Sequence, residues 1–296
     1  METRFLRTFL TVVETSSIAA AARKENLTSS AVVQRLRALE EEIGSPLVQR
    51  AGHSMRPTEA GLSILERARL IVASADDLRD IASLDQEAGT LRIGVIHSMI
   101  TGLLPEILSA MKSTRPGIDV YVQPGQSSEL HECVAKETLD AAIIVEPPYA
   151  ISKAIEFAEL RRDPMILLCS AIELEDDPLT ILKTRPFIRY DRKHWGGRVG
   201  DNYLKKIKVN PVERYELDSL EGIAALVDRG LGVSVVPDWL PPWPAGLQLR
   251  KIALAGATSR KVGLLYQRLS TRHRLLSAFL EEARSAISRK EATLQS

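Results

Sequence analysis

Residues 5–61 read FLRTFLTVVETSSIAAAARKENLTSSAVVQRLRALEEEIGSPLVQRAGHSMRPTEAG, and the organisation of the whole chain follows from them. Apolar residues recur at helical spacing at the start, which predicts a first helix with one buried face. Ser17 is a suitable N-cap for an alanine-rich second helix over 18–25, whose small side chains permit close helix crossing. A turn at 26–27 then leads to a third helix over 31–42. This order predicts a helix-turn-helix.

The third helix presents a set of polar side chains to solvent. Its inward stripe consists of Val32, Leu36 and Leu39, so the positions between them point outward. When such a helix enters the major groove, its first turn lies nearest the base edges. A glutamine amide can bind adenine, a valine can touch a thymine methyl, and hydroxyls can bind phosphates or bases. The candidate DNA-binding residues on this helix are Ser29, Ser30, Val33, Gln34 and Arg37.

A basic hairpin follows the third helix. Two short strands over 47–50 and 54–57 flank a tight turn at 51–53, a pattern that predicts a wing. Its basic residues can reach phosphates or the adjacent minor groove, and they are Arg50, His53 and Arg56. The same pattern also fits an ordinary three-helix module whose charges are merely solvated, because helix-turn-helix matches include false positives.

The N-terminal segment resembles the DNA-binding domain of LysR-type transcriptional regulators, a bacterial family. The resemblance rests on residues that fall in order at the family's spacing: Phe9, Ser17, Ala21-Ala22, Ser30-Ala31-Val32, Leu36, Leu39-Glu40, Gly44, Pro46-Leu47, Arg50, Thr58 and Glu59-Ala60-Gly61. It implies an α+β multidomain protein with a winged helix-turn-helix, a long linker helix and a C-terminal two-lobed α/β effector domain of the periplasmic-binding-protein type. Beyond the N-terminal segment the resemblance is one of architecture more than motif.

Several positions depart from the family pattern. The family usually has a large apolar residue where Glu25 stands, and often Gln-Pro at Ser29-Ser30. It usually has serine at the position of Val33, and arginine at the positions of Gln34 and His53. Most of these positions face the groove, so the departures leave the fold in place and leave the operator sequence open.

Composition bounds the possible functions. The chain has 296 residues, enough for two or three domains, and a formal net charge of only +1. Any DNA contact must therefore be a local patch. From Arg23 to Arg56 there are six basic and four acidic residues, a net charge of +2. That modest charge predicts a dimer or tetramer, which would sum enough phosphate contacts for useful affinity.

Targeting signals and cysteine chemistry give negative expectations. No apolar run approaches the roughly 18–20 residues of a membrane span, and the N-terminus METRFLRTFL lacks a secretory apolar region, so we expect a cytoplasmic protein without membrane contact. The two cysteines, Cys133 and Cys169, make neither a disulfide framework nor a metal site. We interpret both as buried structural thiols and leave a redox role open.

A long helix is predicted to begin after Thr58. Small and large apolar residues alternate along it with heptad spacing, at Ile64, Ala68, Ile71, Ala75, Leu78 and Ala82. This seam predicts dimerisation through a linker over 61–89, which would hold two recognition helices at a fixed distance. The alternative is a helix packed on its own domain. A polar hinge over 85–89 ends the helix.

Residue 90 onward alternates strand and helix patterns, which predicts an α/β effector domain over 90–296. We place lobe I at about 90–162 and 266–296, and lobe II at about 163–265, with crossovers near Glu146-Pro147 and Leu265-Tyr266. The apolar run at 139–145 is typical of a strand in a parallel sheet covered on both faces. Two such lobes would enclose a cleft.

The cleft lining is predicted from the points where strands meet helix N-termini, because ligands bind there in open α/β sheets. The candidate effector-binding residues are Ser98, Met99, Ile100, Gln126, Ser127, Ser128, Glu146 and Trp195, with Tyr190, His194 and Ser219 as further contributions from lobe II. By resemblance, family effector sites use the positions of Ser98, Ser127 or Ser128, Glu146 and the loop near Trp195. Alternatively, the serines are simple N-caps, Trp195 is core, and Glu146 pairs with a surface arginine such as Arg161 or Arg162.

The sequence contains no convincing catalytic motif, so we expect neither an enzyme nor a cofactor beyond a small-molecule effector. The predicted function is a sequence-specific regulator that binds double-stranded DNA at an interrupted inverted repeat. By resemblance it is a homotetramer, with RNA polymerase as a further candidate partner. The alternatives are a cytoplasmic solute-binding protein or an enzyme on a clamshell α/β fold. Effector identity, operator sequence and the direction of regulation stay open.

Overall fold

The computed structural model describes residues 2–52, 54–82 and 88–295. The chain divides into two compact units, Met1–Asp85 and Gln86–Ser296. No helix in the described part of the chain is both long enough and apolar enough to cross a lipid bilayer.

Three helices form the first part of the N-terminal unit: α1 (Thr3–Thr15), α2 (Ile18–Lys24) and α3 (Ser29–Ile43). The predicted Ser17 cap is present, because Ser17 Oγ accepts a hydrogen bond from the Ala20 amide at 3.3 Å. Thr28 caps α3 in the same way, since its Oγ1 accepts a hydrogen bond from the Ala31 amide at 3.2 Å. Gly44 ends α3 in the left-handed conformation with φ of 79°. The third helix begins at Ser29, two residues before its predicted start at residue 31.

Hydrogen bonds attach the wing to the helices that precede it. The wing consists of β1 (Val48–Ala51) and β2 (Ser54–Pro57), an antiparallel pair, and α4 spans Glu59–Ala82. The carboxylate of Glu40 on α3 accepts hydrogen bonds from the amides of Leu47 and Val48 at 2.7 and 3.2 Å. The Met55 amide donates to the Ser16 carbonyl at 2.8 Å. The wing is thus fixed to the helices at both of its strands.

Part of the predicted dimer seam on α4 faces inward. Ala68 is 2% exposed, Val72 is 8% exposed, and both belong to the core that α1, α2 and α3 share; Ile64 packs against that core. Two of the six predicted seam residues, Ile64 and Ala68, therefore pack within the N-terminal unit, in agreement with the alternative interpretation. Ile71 is exposed, while the side chains of Leu78 and Ala82 and most of the predicted hinge lie outside the described residues.

The second unit contains ten strands and seven helices in its described residues. In chain order they are β3 (Gly89–Val95), α5 (His97–Gly102), α6 (Leu104–Thr114), β4 (Ile118–Pro124), α7 (Ser127–Ala135), β5 (Ala141–Val145), β6 (Ile155–Asp163), β7 (Met165–Ser170), α8 (Pro178–Thr184), β8 (Phe187–Tyr190), α9 (Trp195–Lys206), β9 (Glu213–Leu217), α10 (Leu220–Asp228), β10 (Ser234–Pro237), β11 (Leu249–Ala253), β12 (Arg260–Gln267) and α11 (His273–Gln295).

Lobe I is built on a five-stranded sheet in the order β4-β3-β5-β12-β6. All five residues of β5 are buried, as its apolar run predicted. The sheet is mixed, however: β3 is parallel to β4 and β5, whereas β12 is antiparallel to both β5 and β6. The buried core around it includes residues from α6, α7 and α11.

Lobe II is built on a three-stranded sheet in the order β10-β7-β11, in which β7 is antiparallel to both neighbours. The parallel pair β8-β9 adjoins it through a bridge between Phe187 and Val233. Residues of α8, α9 and α10 fill the cores on this lobe. Lobe II therefore has its own interior, separate from that of lobe I.

The first crossover lies close to the predicted lobe boundary at 162–163 and not near Glu146-Pro147, and the second lies before the predicted Leu265-Tyr266. After Glu146-Pro147 the chain stays in lobe I, because β6 pairs with β12, and it enters lobe II only at Pro164. It returns before Arg260, because all of β12, including Leu265 and Tyr266, pairs within the lobe I sheet. Both crossovers thus flank the same pair of neighbouring strands.

Candidate nucleic-acid interface and ligand cleft

The beginning of α3 offers an exposed polar surface. Its residues Ser29, Ser30, Gln34 and Arg37 are exposed, and Val33 is half-buried. The opposite face is packed, since Val32 and Leu39 are fully buried. This is the arrangement in which one face of a helix can enter a DNA groove while the other anchors it.

A second basic residue of α3, Arg35, turns towards the protein. Its Nη1 lies 3.3 Å from Glu25 Oε2 and 3.3 Å from Thr8 Oγ1, and Thr8 Oγ1 donates to the same Glu25 oxygen at 2.7 Å. The Glu25 side chain is only 11% exposed. The unusual residue at position 25 therefore serves as the acceptor for a polar cluster that joins α1, the end of α2 and α3.

The wing presents two arginines to solvent. Arg50 Nε donates to the Gly52 carbonyl at 3.2 Å, which keeps its side chain along the turn, and Arg56 is exposed on β2. Arg56 pairs across the hairpin with Gln49. His53 lies outside the described residues. The two described arginines share the N-terminal unit with the exposed surface of α3, and their charge suits phosphate groups.

The second unit contains a cleft of about 800 Å³, counted with its open mouth. Four helices begin at its wall: α5 after β3 and α7 after β4 on lobe I, and α9 after β8 and α10 after β9 on lobe II. Both walls thus follow the carboxyl ends of strands, which is where open α/β sheets bind ligands. The partial positive charge at the starts of the longer helices favours anionic or acceptor groups.

Five of the eight predicted effector-binding residues line this cleft: Ser98, Gln126, Ser127, Ser128 and Trp195. Ser127 Oγ accepts a hydrogen bond from the Val145 amide at 3.2 Å, which leaves its proton available to a ligand. Ser98 is 5% exposed and has no hydrogen-bond partner among the described residues. Trp195 is 6% exposed, so it is both wall and core.

Three predicted residues lie outside the lining. Met99 is fully buried in the lobe I core and Ile100 packs against that core, because one and two steps along α5 turn the side chain away from the cleft. Glu146 forms an ion pair with Lys261 at 3.0 Å. Its partner is therefore a lysine on β12 and neither of the two arginines considered.

The lining also contains residues that were absent from the predicted set, chiefly Asp218, Glu221 and Arg260, with Tyr190, His194 and Ser219 contributing as expected. The strand-to-helix rule applied to β9 and α10 would have found Asp218 and Glu221, since they flank the cap of α10. No local sequence pattern predicts that Arg260 lines the cleft. It is the first residue of β12, which lies late in the sequence and far from the other lining residues along the chain.

Arg260 lies at the floor of the cleft in a buried ion pair. It is 1% exposed, and its Nε and Nη2 lie 3.0 and 2.5 Å from Oδ2 of Asp163, which is itself fully buried. Arg161 also pairs with Asp163. Burial raises the pKa of the Tyr190 hydroxyl above its usual value; the nearby Arg260 guanidinium acts to lower it, and the carboxylates of Glu221 and Asp218 raise it further.

Three aromatic side chains meet beside the cleft. His131 on α7, Tyr149 in the loop after β5 and Trp195 at the start of α9 contact one another edge to face, with centroid distances of 5.7–5.9 Å. Such contacts stabilise by about 0.5–1.5 kcal/mol each beyond burial. Burial lowers the pKa of His131. This aromatic trio connects the two lobes at one side of the cleft.

The described residues show no group of side chains arranged to hold a metal ion. Cys169 is buried in lobe II, and burial, aided by the charge of Glu173, raises the pKa of its thiol to about 12. Cys133 is half-buried and free. A thiol with so high a pKa is a poor nucleophile at neutral pH, which fits the structural role expected for Cys169.

A winged helix-turn-helix unit followed by a two-lobed ligand-binding unit is the arrangement of a ligand-responsive transcriptional regulator. Residues 3–62 match the family model for the bacterial regulatory helix-turn-helix protein, lysR family, and residues 84–288 match the model for the LysR substrate binding domain. The chain belongs to the LysR family of DNA-binding transcriptional regulators, and the predicted fold class and function are confirmed.

Curated relatives are named as transcriptional regulators. The chain is 29% identical over 239 residues to the HTH-type transcriptional regulator CzcR of Bacillus cereus, a match that covers 80% of each chain. It is 30% identical over 247 residues to the uncharacterized HTH-type transcriptional regulator YnfL of Escherichia coli, covering 80% of this chain and 82% of that protein.

Solved structures share the fold at low sequence identity. Full-length CbnR complexed with its target DNA superposes with a TM-score of 0.68 at 22% identity, over 97% of this chain and 100% of that one. The Corynebacterium glutamicum OxyR C206 mutant superposes with a TM-score of 0.65 at 22% identity, over 99% and 93% of the two chains.

Proposed function

We propose that this regulator reads its operator through the first turn of α3 and anchors itself on phosphates through the wing. The observation that carries the proposal is the exposure of Ser29, Gln34 and Arg37 on a helix whose other face is fully packed. Gln34 would bind an adenine edge, and Arg56 and Arg50 would bind phosphates. CbnR has been crystallised with its target DNA.

The operator is proposed to be an interrupted inverted repeat bound by a dimer or a tetramer. A net charge of +2 over residues 23–56 gives one N-terminal unit few phosphate contacts, so that paired units are needed for useful affinity. Leu62 and Ile71 leave apolar surface exposed on α4, at 58% and 40%, which supports pairing through this helix. RNA polymerase would be the next partner at an activated promoter, and the protein would act in the cytoplasm, where its DNA lies.

The cleft of the second unit is proposed to bind a small effector without catalysing a reaction on it. The unpartnered Ser98 hydroxyl and the starts of α7, α9 and α10 supply a polar wall suited to binding. A ligand that favours one arrangement of the assembly over another would change operator affinity or DNA bending.

The test compares Gln34→Ala with Arg56→Ala in the full-length protein. Fluorescence anisotropy would measure binding to DNA from upstream of its own gene and to a scrambled duplex of equal length. Gln34→Ala should lower the affinity for the upstream DNA by about 5–150-fold, which is the contribution of a bidentate base contact. The affinity for the scrambled duplex should stay nearly unchanged.

Arg56→Ala should weaken both duplexes alike and reduce the salt dependence of binding, because a phosphate contact carries no sequence information. Ser63→Ala, on an exposed position of α4, is the matched control. Equal losses for Gln34→Ala on the two duplexes, or no binding of wild-type protein to the upstream DNA at low salt, would contradict the proposal.

A further inference from the structure

The two walls of the interlobe cleft differ in charge. The lobe I wall carries no carboxylate among its described lining residues: Ile96, His97, Ser98, Gly125, Gln126, Ser127, Ser128 and Val145. The lobe II wall carries two carboxylates, Asp218 and Glu221, on either side of the Ser219 cap of α10. A ligand that spans the cleft therefore meets hydrogen-bond donors on one side and negative charge on the other.

The two carboxylates have no positive partner. Within the described residues, neither Asp218 nor Glu221 forms an ion pair, and the hydrogen bond to Glu221 comes from the neutral Ser219 hydroxyl at 3.2 Å. Both charges are felt inside the cleft, since both raise the pKa of the buried Tyr190 hydroxyl. Carboxylates at the wall of a cavity favour a cationic or strongly donating ligand group.

The one guanidinium in the described lining does not neutralise them. Arg260 is 1% exposed and binds Asp163 through two of its nitrogens. Arg260 shares the buried Asp163 carboxylate with Arg161, and no ion pair joins Arg260 to Asp218 or Glu221 among the described residues. The negative wall is thus left for a ligand to balance.

The lobe I wall offers a hydroxyl donor to a ligand. Ser98 is 5% exposed and lines the cavity, and no hydrogen bond joins its side chain to another described group. Because this hydroxyl is accessible to the cleft, it can donate its proton to a ligand there. Beside it, Ser127 has accepted the Val145 amide and can still donate its own proton at the first residue of the nine-residue helix α7. These donors suit a carboxylate.

We infer that the cleft binds a small zwitterion, an amino-acid-like molecule whose carboxylate meets Ser98 and Ser127 and whose ammonium group meets Asp218 and Glu221. The inference rests on the proposed function, since it assumes that the cleft receives the regulatory ligand. A carboxylic acid with the same carbon skeleton but no amino group would bind the hydrogen-bond donors of lobe I, but it would place no positive charge at the acidic wall of lobe II. Asp218 and Glu221 thereby act as specificity determinants against simple acids.

The test is isothermal titration calorimetry on the full-length protein with matched ligand sets. Each set contains one proteinogenic amino acid, its N-acetyl derivative, which lacks the ammonium charge, and its amide, which lacks the carboxylate. At least one unmodified amino acid should bind 10-fold or more tightly than both of its derivatives.

Two variants test which wall of the cleft binds the ammonium group of the ligand and which binds its carboxylate. The double variant Asp218→Asn, Glu221→Gln should lose at least 10-fold in affinity for the amino acid and should bind the N-acetyl derivative nearly as well. Ser98→Ala should weaken the amino acid and leave the amide unchanged. Glu132→Gln, an exposed acid outside the cleft lining that pairs with Lys136, is the control and should match wild type. The melting temperature of each ligand-free variant verifies folding.

The possible failures are distinguishable. If an N-acetyl derivative binds as tightly as its amino acid, or the double variant keeps the wild-type ranking, the zwitterion inference is overturned while an effector-binding cleft stands. If no compound of any charge type binds, both the inference and the proposed effector role of the cleft are overturned. DNA binding by the N-terminal unit is tested separately and is unaffected by either result.

Discussion

Glu25 shows how one side chain can set the position of a recognition helix. Its carboxylate accepts hydrogen bonds from Thr8 on α1 and Arg35 on α3, and one of its oxygens, Oε1, is buried with no partner among the described groups. A partly satisfied polar cluster is costly to break, because removing one member leaves the others desolvated and unpaired. The cluster therefore keeps the Arg35 guanidinium against α1 and the end of α2, and it ties three helices together.

We predict that Glu25→Ala lowers the free energy of unfolding of the N-terminal unit by about 1–3 kcal/mol. The change leaves the half-buried Arg35 guanidinium without its carboxylate partner, and it leaves the fully buried Thr8 hydroxyl with only the Arg4 carbonyl, at 3.1 Å, as acceptor. Hydrogen exchange of the α1–α3 amides in the full-length protein measures the loss.

The control for this prediction is Glu14→Ala. Glu14 pairs with Lys24 at 2.8 Å, but both side chains are more than half exposed, so the loss should stay below about 1 kcal/mol. Equal exchange rates in the two variants would show that the Glu25 cluster contributes no more than a surface ion pair.

Single site residues were predictable only where their position along the chain fixes their direction. Ser98 and Ser127 follow strand ends, and the structure places both in the cleft. Met99 was assigned to the cleft by proximity to Ser98 alone, although the next position on a helix points elsewhere. Arg260 could not be predicted, because its place depends on how a late strand pairs with β6, a long-range contact without local signal.

At the scale of elements, the join between the wing and α4 depends on one glycine. A Cβ atom at Gly61 would lie 2.1 Å from the Leu47 carbonyl oxygen, a distance that no side chain tolerates. The Gly61 amide donates to Thr58 Oγ1 at 3.0 Å, and Thr58 Oγ1 donates to the Pro46 carbonyl at 2.6 Å. The first turn of α4 is thus docked directly on the backbone that precedes the wing.

Gly61→Ala should destabilise the N-terminal unit by about 1–3 kcal/mol, since either α4 or the wing must shift to make room. The expected signature is faster hydrogen exchange in β1, β2 and the start of α4, together with weaker binding to the upstream DNA. Ser63→Ala, two residues further along the same helix, should change the free energy of unfolding by less than about 0.5 kcal/mol. An alanine at position 61 with wild-type exchange and affinity would mean that the close approach to Leu47 is unimportant.

Elements with a clear periodic pattern were predictable, and polar strands were not. The buried strand β5 and the helices α1–α3 follow from their apolar spacing. The strand β6, with sequence IEFAELRRD, has no clear strand pattern because five of its nine residues are charged. It lies at the edge of the sheet, where Glu159 and Arg162 are exposed, while Asp163 is buried in ion pairs with arginines. Because β6 has no clear pattern, the crossover predicted near Glu146-Pro147 lies too early in the chain, although the predicted end of lobe I at 162 is close to the end of β6 at Asp163.

For the whole molecule, function requires that two separately folded units influence each other. The N-terminal unit holds the exposed face of α3, and the second unit holds the cleft, whose lining residues are divided between two lobes. Ligand binding in one unit can change DNA binding in the other only by the difference in its affinity for the DNA-bound and free states. Allosteric couplings are typically about 1–3 kcal/mol, or 5–150-fold in affinity, and they are reciprocal.

The most direct measurement is therefore the affinity of the full-length protein for its upstream DNA with and without a saturating cleft ligand, the tightest amino acid found by calorimetry. We predict a change of 5-fold or more, an equal change in ligand affinity when the DNA is present, and the loss of both effects in Ser98→Ala. A ligand that binds the cleft while the upstream DNA affinity stays constant would contradict the account of the second unit as a sensor for the first.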